Sequence, residues 1–393
     1  MSEKIPKGWK WMKLGDVVII NPNETLKKGI IAKKVPMEAL LPFTKKVKFF
    51  VFEKYNGGVK FKNGDTLVAR ITPSLENGKT VYVDLLDDNE IGFGSTEFIV
   101  LREKSGITDK QFVYYFAISN DFRDVAIKSM TGSSGRQRVQ NEVVKEFEFP
   151  LPPLPEQKAI AEVLSSLDDK IELLHRQNKT LEEMAMTLFR QWFIEPTKDG
   201  LPEGWEEKKL KDVYIFEKGI EPGSKNYLET PSVDTIRFIR VGDMLENKAN
   251  VYIQKDLVGN SICKFDDLLV SFDGTIGRVS FGIEGCYSSG IRKIYSEDEI
   301  YNKLWLKHQI FISEEIQDEI NMYAEGTTIL HASSSIDYLS FVFPPKEKIN
   351  EYVKFFDPIY KKILHNKTQI QTLEKLRDIL LAKLISGELR VKS

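Results

Sequence analysis

A chain of 393 residues, at roughly 100–200 residues per domain, has room for two to four domains and excludes a single small module that needs disulfide or metal support. Its 41% apolar and 29% charged content, without any low-complexity run, excludes a disordered or fibrous chain. With 56 Lys and Arg against 58 Asp and Glu, the net charge of -2 excludes a global attraction to phosphate or anionic lipid, so any nucleic-acid contact must come from local patches.

The chain opens on a charged, Trp-bearing segment from Met1 to Asp16 that lacks the apolar core of a signal peptide. No later stretch approaches the ~18 apolar residues of a membrane span, so a cytoplasmic protein with no membrane partner is expected. Residues 66–70, 80–86 and 98–101 are β-rich or alternating and are set apart by Gly57-Gly58, Asn63-Gly64, Asn77-Gly78 and the glycines at 92 and 94. They predict strands, and residues 109–128 predict a helix. After the proline run from Pro150 to Pro155, Ile160, Leu164, Leu167, Ile171, Leu174, Leu181, Ala185, Leu188 and Trp192 follow in steps of four and three, with Asn178 filling the one gap. This is the heptad seam of a long helix that stops before Pro196. Residues 268–272, 279–283 and 291–295 again predict strands, and 298–323 a helix. A second seam follows Pro345 through Tyr352, Phe356, Ile359, Ile363, Ile370, Leu373, Leu380 and Leu384, with Asn366 and Arg377 in the stripe. It ends at Gly387, a C′ glycine, and Pro358 is expected to kink or interrupt it.

The order is written twice. Ile5-Pro6-Lys7-Gly8-Trp9, followed by Leu14, Asp16 and Val17, returns 196 residues later as Leu201-Pro202-Glu203-Gly204-Trp205 with Leu210, Asp212 and Val213. Gly132-Ser133-Ser134 returns after 194 as Gly326-Thr327-Thr328, and Thr180-Leu181-Glu182 after 192 as Thr372-Leu373-Glu374. Two copies fill the chain: globular domains at 1–149 and 197–343, each followed by a long helix, at 150–196 and 344–393. The expected class is α+β, two pseudo-symmetric mixed α/β globular domains separated by two long helices forming an antiparallel coiled coil. In an antiparallel pair, setting Asn178 opposite Asn366 makes facing residue numbers add to 544, which also brings Ile171 to Leu373, Leu181 to Ile363 and Leu188 to Phe356. A buried Asn fixes register when its amide finds a partner, so an Asn178–Asn366 contact is expected. The alternative places one or both on the wet edge of the seam.

Catalytic chemistry is thin. Cys263 and Cys286 lie 23 residues apart without CxxC spacing, and four scattered histidines offer no companion ligands, so neither a metal site nor an oxidising compartment is expected. Gly78-Lys79-Thr80 ends like a phosphate loop, but Pro73 occupies the place of the required first glycine. Glu156-Gln157-Lys158 has a nuclease-like spacing without an aspartate in the preceding thirty residues, and reads as structural. No nucleophile setting is present.

Local basic clusters are the better lead. Lys45, Lys46 and Lys48 head six lysines within residues 43–62, interleaved with Phe49, Phe50, Phe52, Tyr55 and Phe61 and opposed only by Glu53. Such a face suits a phosphate backbone; the alternative is a lysine-coated strand whose aromatics are core. Arg70, Thr72, Ser74, Asn77 and Lys79 form a polar loop of the side chains that reach base edges, and Asp273, Thr275 and Arg278 hold that place in the second copy. Ser133, Ser134, Arg136, Gln137 and Arg138 form another such loop, with Thr327 and Thr328 at the matching place, and Arg292 and Lys293 sit on a second-copy strand. These are the candidate DNA-binding residues. Plain helix caps and solvated loops are the alternative.

The run Pro150-Leu151-Pro152-Pro153-Leu154-Pro155-Glu156-Gln157-Lys158-Ala159-Ile160-Ala161, opening a long heptad helix after a β-rich domain in a duplicated chain, resembles the DNA-specificity subunit of a type I restriction–modification system. The resemblance covers essentially the whole length. It implies two target-recognition domains, each reading half of a split, asymmetric site on double-stranded DNA, with the helices as a ruler. It implies two adenine-N6 methyltransferase partners and translocase-nuclease subunits, which carry the methyl donor, ATP and magnesium sites. No cofactor or catalytic residue is then expected in this chain. The second helix departs from the pattern, with Pro344-Pro345-Lys346-Glu347-Lys348 in place of the fuller motif. From Pro155 to Trp192 the first helix spans roughly 57 Å at ~1.5 Å per residue, between one and two DNA turns of about 34–36 Å. The rival readings are a protein-interaction scaffold without DNA specificity and a self-contained restriction or methylation enzyme.

Overall fold

The computed structural model describes residues 5–133, 135–244, 251–326 and 330–391. The chain divides into two compact units, Met1–Glu172 with Thr372–Ser393, and Leu173–Gln371. Each long helix contributes to both.

In the first unit the entry strand Lys10–Lys13 pairs antiparallel with Glu148–Leu151. An antiparallel sheet follows in the order Val18–Ile20, Phe98–Glu103, Thr66–Ala69, Thr80–Tyr82. Its strand Thr66–Ala69 is buried on both faces, which is why it reads as a near-continuous apolar run rather than an alternating one. A second sheet, in the order Val51–Lys54, Ile31–Val35, Gly92–Gly94, Val59–Phe61, holds one parallel pair, Ile31–Val35 with Gly92–Gly94. The strands at 31–35 and 59–61 leave no pattern in the sequence, because strands of three to five residues carry too few positions to show a period.

The second unit has the same plan. Glu206–Lys209 pairs with Ser340–Phe343. One sheet runs Ile215–Lys218, Ile291–Tyr295, Leu268–Ser271, Val279–Ser280, and the other runs Tyr252–Gln254, Thr235–Ile239, Gly285–Tyr287, Ile262–Cys263, again with a single parallel pair, Thr235–Ile239 with Gly285–Tyr287.

The helical run expected at 109–128 is two helices, Lys110–Ile118 and Asn120–Lys128, broken at Ser119. Ser119 takes extended backbone angles, and its hydroxyl caps the Phe122 amide, so a helix C-terminus and a helix N-cap share one residue. Ser313 breaks Leu304–Ile312 from Glu314–Met322 in the same backbone conformation.

The long helices are Leu154–Phe189 and Lys346–Ser386, and the second ends on Gly387 at φ +76°. Pro358 does not interrupt the second helix, which runs on through it. Phe356, Ile359 and Tyr360 on either side are buried in the second unit's core, and that packing offsets the one backbone hydrogen bond the proline cannot make. The helices pair antiparallel within each unit. In the first, Asp168 meets Arg377 while Glu156 meets Arg390. In the second, the Asn366 amide donates to Asn178 Oδ1 at 2.8 Å, both residues buried, while Trp192 stacks on Tyr352 at 4.6 Å. Ile160 and Leu164 share a core with Leu381, Leu384 and Ile385; Ala185 and Phe189 share one with Phe356 and Ile363.

The Pro/Glu/Gln run acts as a lock at the helix start. Glu156, buried, accepts from Trp9 Nε1 at 3.0 Å and takes both arms of Arg390 at 2.9 and 2.7 Å. Gln157 donates to the carbonyls of Pro152 and Ile107 and accepts from the Asp109 amide. At the equivalent place in the second helix, Lys348 lies over the Trp205 ring at 5.3 Å, so the departure in sequence replaces an ionic clamp with a cation–π contact.

Candidate nucleic-acid interface

In the first unit the strand Thr66–Ala69 runs on through Arg70 into the polar loop, and the segment 131–138 folds against it. Ile71 bridges Arg138, the Thr72 amide donates to the Gln137 carbonyl at 3.0 Å, and the Val139 amide donates to Arg70 O at 2.9 Å. The two candidate loops, some sixty residues apart in sequence, are one surface.

Their side chains divide sharply. Arg70 is half-buried and donates to the Val139 carbonyl, so its charge holds the loop. Thr72 lies 3.5 Å from both Glu76 and Met130, and Lys79 reaches the Met37 carbonyl at 3.4 Å. Ser74 is partly exposed, Asn77, Ser133 and Arg136 are exposed, and Gln137 is half-buried. Ser134 lies outside the described residues. Arg138 is exposed, yet its guanidinium grips Glu97 through Nε and Nη2 at 2.9 and 2.7 Å, which holds the Glu97 carboxyl below its ordinary range. Gly78 has φ +73°, and a Cβ there would come within 2.5 Å of the Phe43 ring, so Gly78-Lys79-Thr80 is a packing turn.

The lysine-aromatic face also splits. Lys45 points inward to Gln111 at 3.0 Å, Tyr115 at 3.3 Å and Ser165 at 2.9 Å, and burial lowers its pKa; this corrects the expectation that it faces DNA. Lys46, 4.0 Å from Asp84, and Lys48 are exposed. The aromatics divide: Phe49 and Phe50 are exposed, and Phe52, on the edge strand Val51–Lys54, is 68% exposed, whereas Tyr55 is half-buried and Phe61 belongs to the core.

In the second unit Arg292 is corrected in the same way. It is buried, donating to the carbonyls of Ser289 at 2.7 Å and Ile291 at 3.2 Å and to the Ser333 hydroxyl at 2.9 Å. Two of these partners are its own chain neighbours and the third is brought in by the fold, and desolvation pushes its pKa down. Lys293 is paired with Glu217 at 2.6 Å, and Arg278 reaches the Val241 carbonyl at 2.9 Å. Thr275 is exposed, while Asp273 is half-buried and meets His331 Nδ1 at 2.7 Å. Thr327 and Thr328 lie outside the described residues. Sequence reasoning missed Glu97 and His331. The signal for His331 was available: it follows Gly326 much as Arg138 follows Gly132.

Among the described residues no group of His, Cys, Asp and Glu is placed to hold a metal ion, and no helix is long and apolar enough to cross a membrane. Both cysteines are buried, and burial pushes the Cys263 thiol up to about 12 and Cys286 to about 11, far from a reactive thiolate.

Comparison with known proteins bears on the whole chain. The type I restriction modification DNA specificity domain matches residues 6–183 and again 202–375. The MjaIX specificity subunit of Methanocaldococcus jannaschii is 28% identical over 322 residues, covering 74% of this chain and 71% of that protein. The HindI specificity subunit of Haemophilus influenzae is 25% identical over 415 residues, covering 84% and 87%. The crystal structure of the type I restriction–modification S subunit from M. genitalium shares the fold at a TM-score of 0.53 and 17% identity, covering 98% of this chain and 97% of that one. The chain thus belongs to the type I restriction–modification DNA-specificity family and carries the family's domain twice in one polypeptide.

Proposed function

We propose that the chain reads a split, asymmetric site on double-stranded DNA, one half through each unit, on behalf of two adenine-N6 methyltransferase subunits and the translocase-nuclease subunits that join them. The observation that carries this reading is the duplication: two units of one plan, each matched by the specificity domain, each with a polar surface built from the loop after its central strand. The chain contributes recognition; the methyl donor, ATP and magnesium fall to the partner subunits. With a net charge of -2 the isolated chain has little nonspecific pull on phosphate, so firm DNA binding belongs to the assembled complex. The exposed Asn77, Ser133, Arg136 and Thr275 are the candidates for groove and backbone contact.

The test is co-expression with the methyltransferase subunits and mapping of N6-methyladenine across the host genome. One bipartite motif is expected. A methylation pattern that stays the same when this chain is exchanged for another specificity subunit would refute the reading.

A further inference from the structure

The two units share one backbone hydrogen-bond pattern. In the first unit the Val139 amide donates to Arg70 O at 2.9 Å, the Arg70 amide to Glu97 O at 2.9 Å, and Thr131 and Arg138 exchange a pair of backbone bonds at 3.1 and 2.9 Å. In the second, the Ala332 amide donates to Phe272 O at 2.8 Å, the Phe272 amide to Gly290 O at 2.9 Å, and Glu325 and His331 exchange a pair at 2.9 and 2.8 Å. Ile71 bridges Arg138 as Asp273 pairs with His331. Arg138 and His331 are therefore the same position.

At this position both units place an exposed basic side chain and hold it with a carboxylate, but the carboxylates come from different places. Glu97 sits where the second unit has Gly290, and Asp273 sits where the first has Ile71. The arrangement recurs while the residues supplying it do not. A carboxylate beside a basic group weakens its attraction for phosphate, so phosphate binding does not account for the pairing. What the carboxylate does provide is a fixed orientation for the basic group.

The free atoms are specific. Glu97 occupies the Nε and Nη2 side of Arg138, and Nη1 also donates to the Arg136 carbonyl at 3.3 Å. One hydrogen on each Nη remains, forming the end-on fork that matches guanine O6 and N7. His331 turns Nδ1 to Asp273, which leaves Nε2 facing outward; in the Nδ1–H tautomer Nε2 is an acceptor, the complement of an exocyclic amine on adenine or cytosine.

We propose that Arg138 and His331 are equivalent base-reading side chains, one per half-site, with Arg138 reading a guanine and His331 an amine-bearing base, and that Glu97 and Asp273 are the residues that position them. The proposal rests on the DNA-reading assignment above and names its contacts.

The experiment uses the full complex of this chain with its methyltransferase subunits, acting on a randomised duplex library read for N6-methyladenine. Wild type is expected to yield a bipartite motif. Arg138→Ala should lose a guanine requirement at one position of one half, with discrimination there falling roughly 10- to 100-fold, while the other half is unchanged. His331→Ala should loosen one position in the opposite half only. Glu97→Gln should relax the same position as Arg138→Ala, to a smaller degree, which a merely structural role would not do. The unchanged half-site in each variant reports that the chain is folded and assembled. Arg138→Lys and His331→Gln, which keep the backbone bonds of the hairpin, provide a second reading should an alanine variant lose activity. Variants that leave both halves as stringent as wild type, or that lower methylation uniformly across all sequences, overturn the proposal while leaving the DNA-reading assignment standing. A wild-type complex without a bipartite motif would overturn both.

Discussion

His308 shows how one buried group couples the second unit to pH. Its Nδ1 lies 2.6 Å from Tyr360 Oη, which itself accepts from the Gln309 amide at 2.9 Å. Buried in this way, the ring is neutral. Burial holds the pKa down to about 3, with the nearby Lys367 adding to the effect. In the unfolded chain a histidine titrates near ~6.5. Because the folded value is depressed, the unfolded state binds the extra proton first, and stability falls as pH drops from about 6.5 towards 3, by up to ~1.4 kcal/mol per unit. Denaturant melts of the second unit across this range should show that slope, and His308→Gln should flatten it. A slope unchanged in the variant would place the acid sensitivity elsewhere. The Asn178–Asn366 amide pair belongs to the same scale: the Asn366 amide donates to Asn178 Oδ1 across the seam, while Asn366 Oδ1 is left buried without a partner, so the contact serves register at a cost in stability.

Between the long helices, the irregularities of the seam are its connections. Arg377 breaks the apolar stripe of the second helix because Asp168 of the first accepts from it at 3.0 Å, and Asp168 also accepts from Tyr115 at 2.6 Å. Tyr115 in turn contacts Lys45, so the candidate face is tied to the helix pair through buried polar groups. Removing one member leaves the others stranded. Asp168→Ala should cost about 3–5 kcal/mol in urea unfolding of the first unit, since the Arg377 guanidinium stays buried with only the exposed Asp378 beside it. Replacing both Asp168 and Arg377 by leucine should return most of that loss. A double variant no more stable than the single one would show that Tyr115 and Lys45 carry the larger share.

Across the whole molecule, the two ends of the chain belong to one core. Leu381, Leu384 and Ile385, at the end of the second helix, pack with Trp9, Leu14 and Ile160, and Arg390 closes on Glu156. Deleting residues 372–393 therefore removes part of the first unit's interior, although the whole of 173–371 separates them from the rest of that unit in sequence. Hydrogen exchange should show protection lost in the sheet containing Thr66–Ala69 and kept in the one containing Leu268–Ser271. Equal loss in both would mean that the two units fold as one cooperative body.

By itself the sequence determined the duplication and the two long helices, of 36 and 41 residues, because each is a periodic or repeated pattern that many residues state redundantly. The sum of 544 came from setting Asn178 opposite Asn366, and the bond between the two decides for that register over the wet-edge alternative. Tertiary structure decided which charges are available. Lys45 and Lys48 are three residues apart and alike in sequence, yet the first is committed to Ser165 and Gln111 while the second meets solvent. Arg292 and Arg138 differ in the same way, one spent on Ser289 and Ser333, the other held outward by Glu97. A side chain's direction depends on partners brought near only by folding, and no local pattern records them.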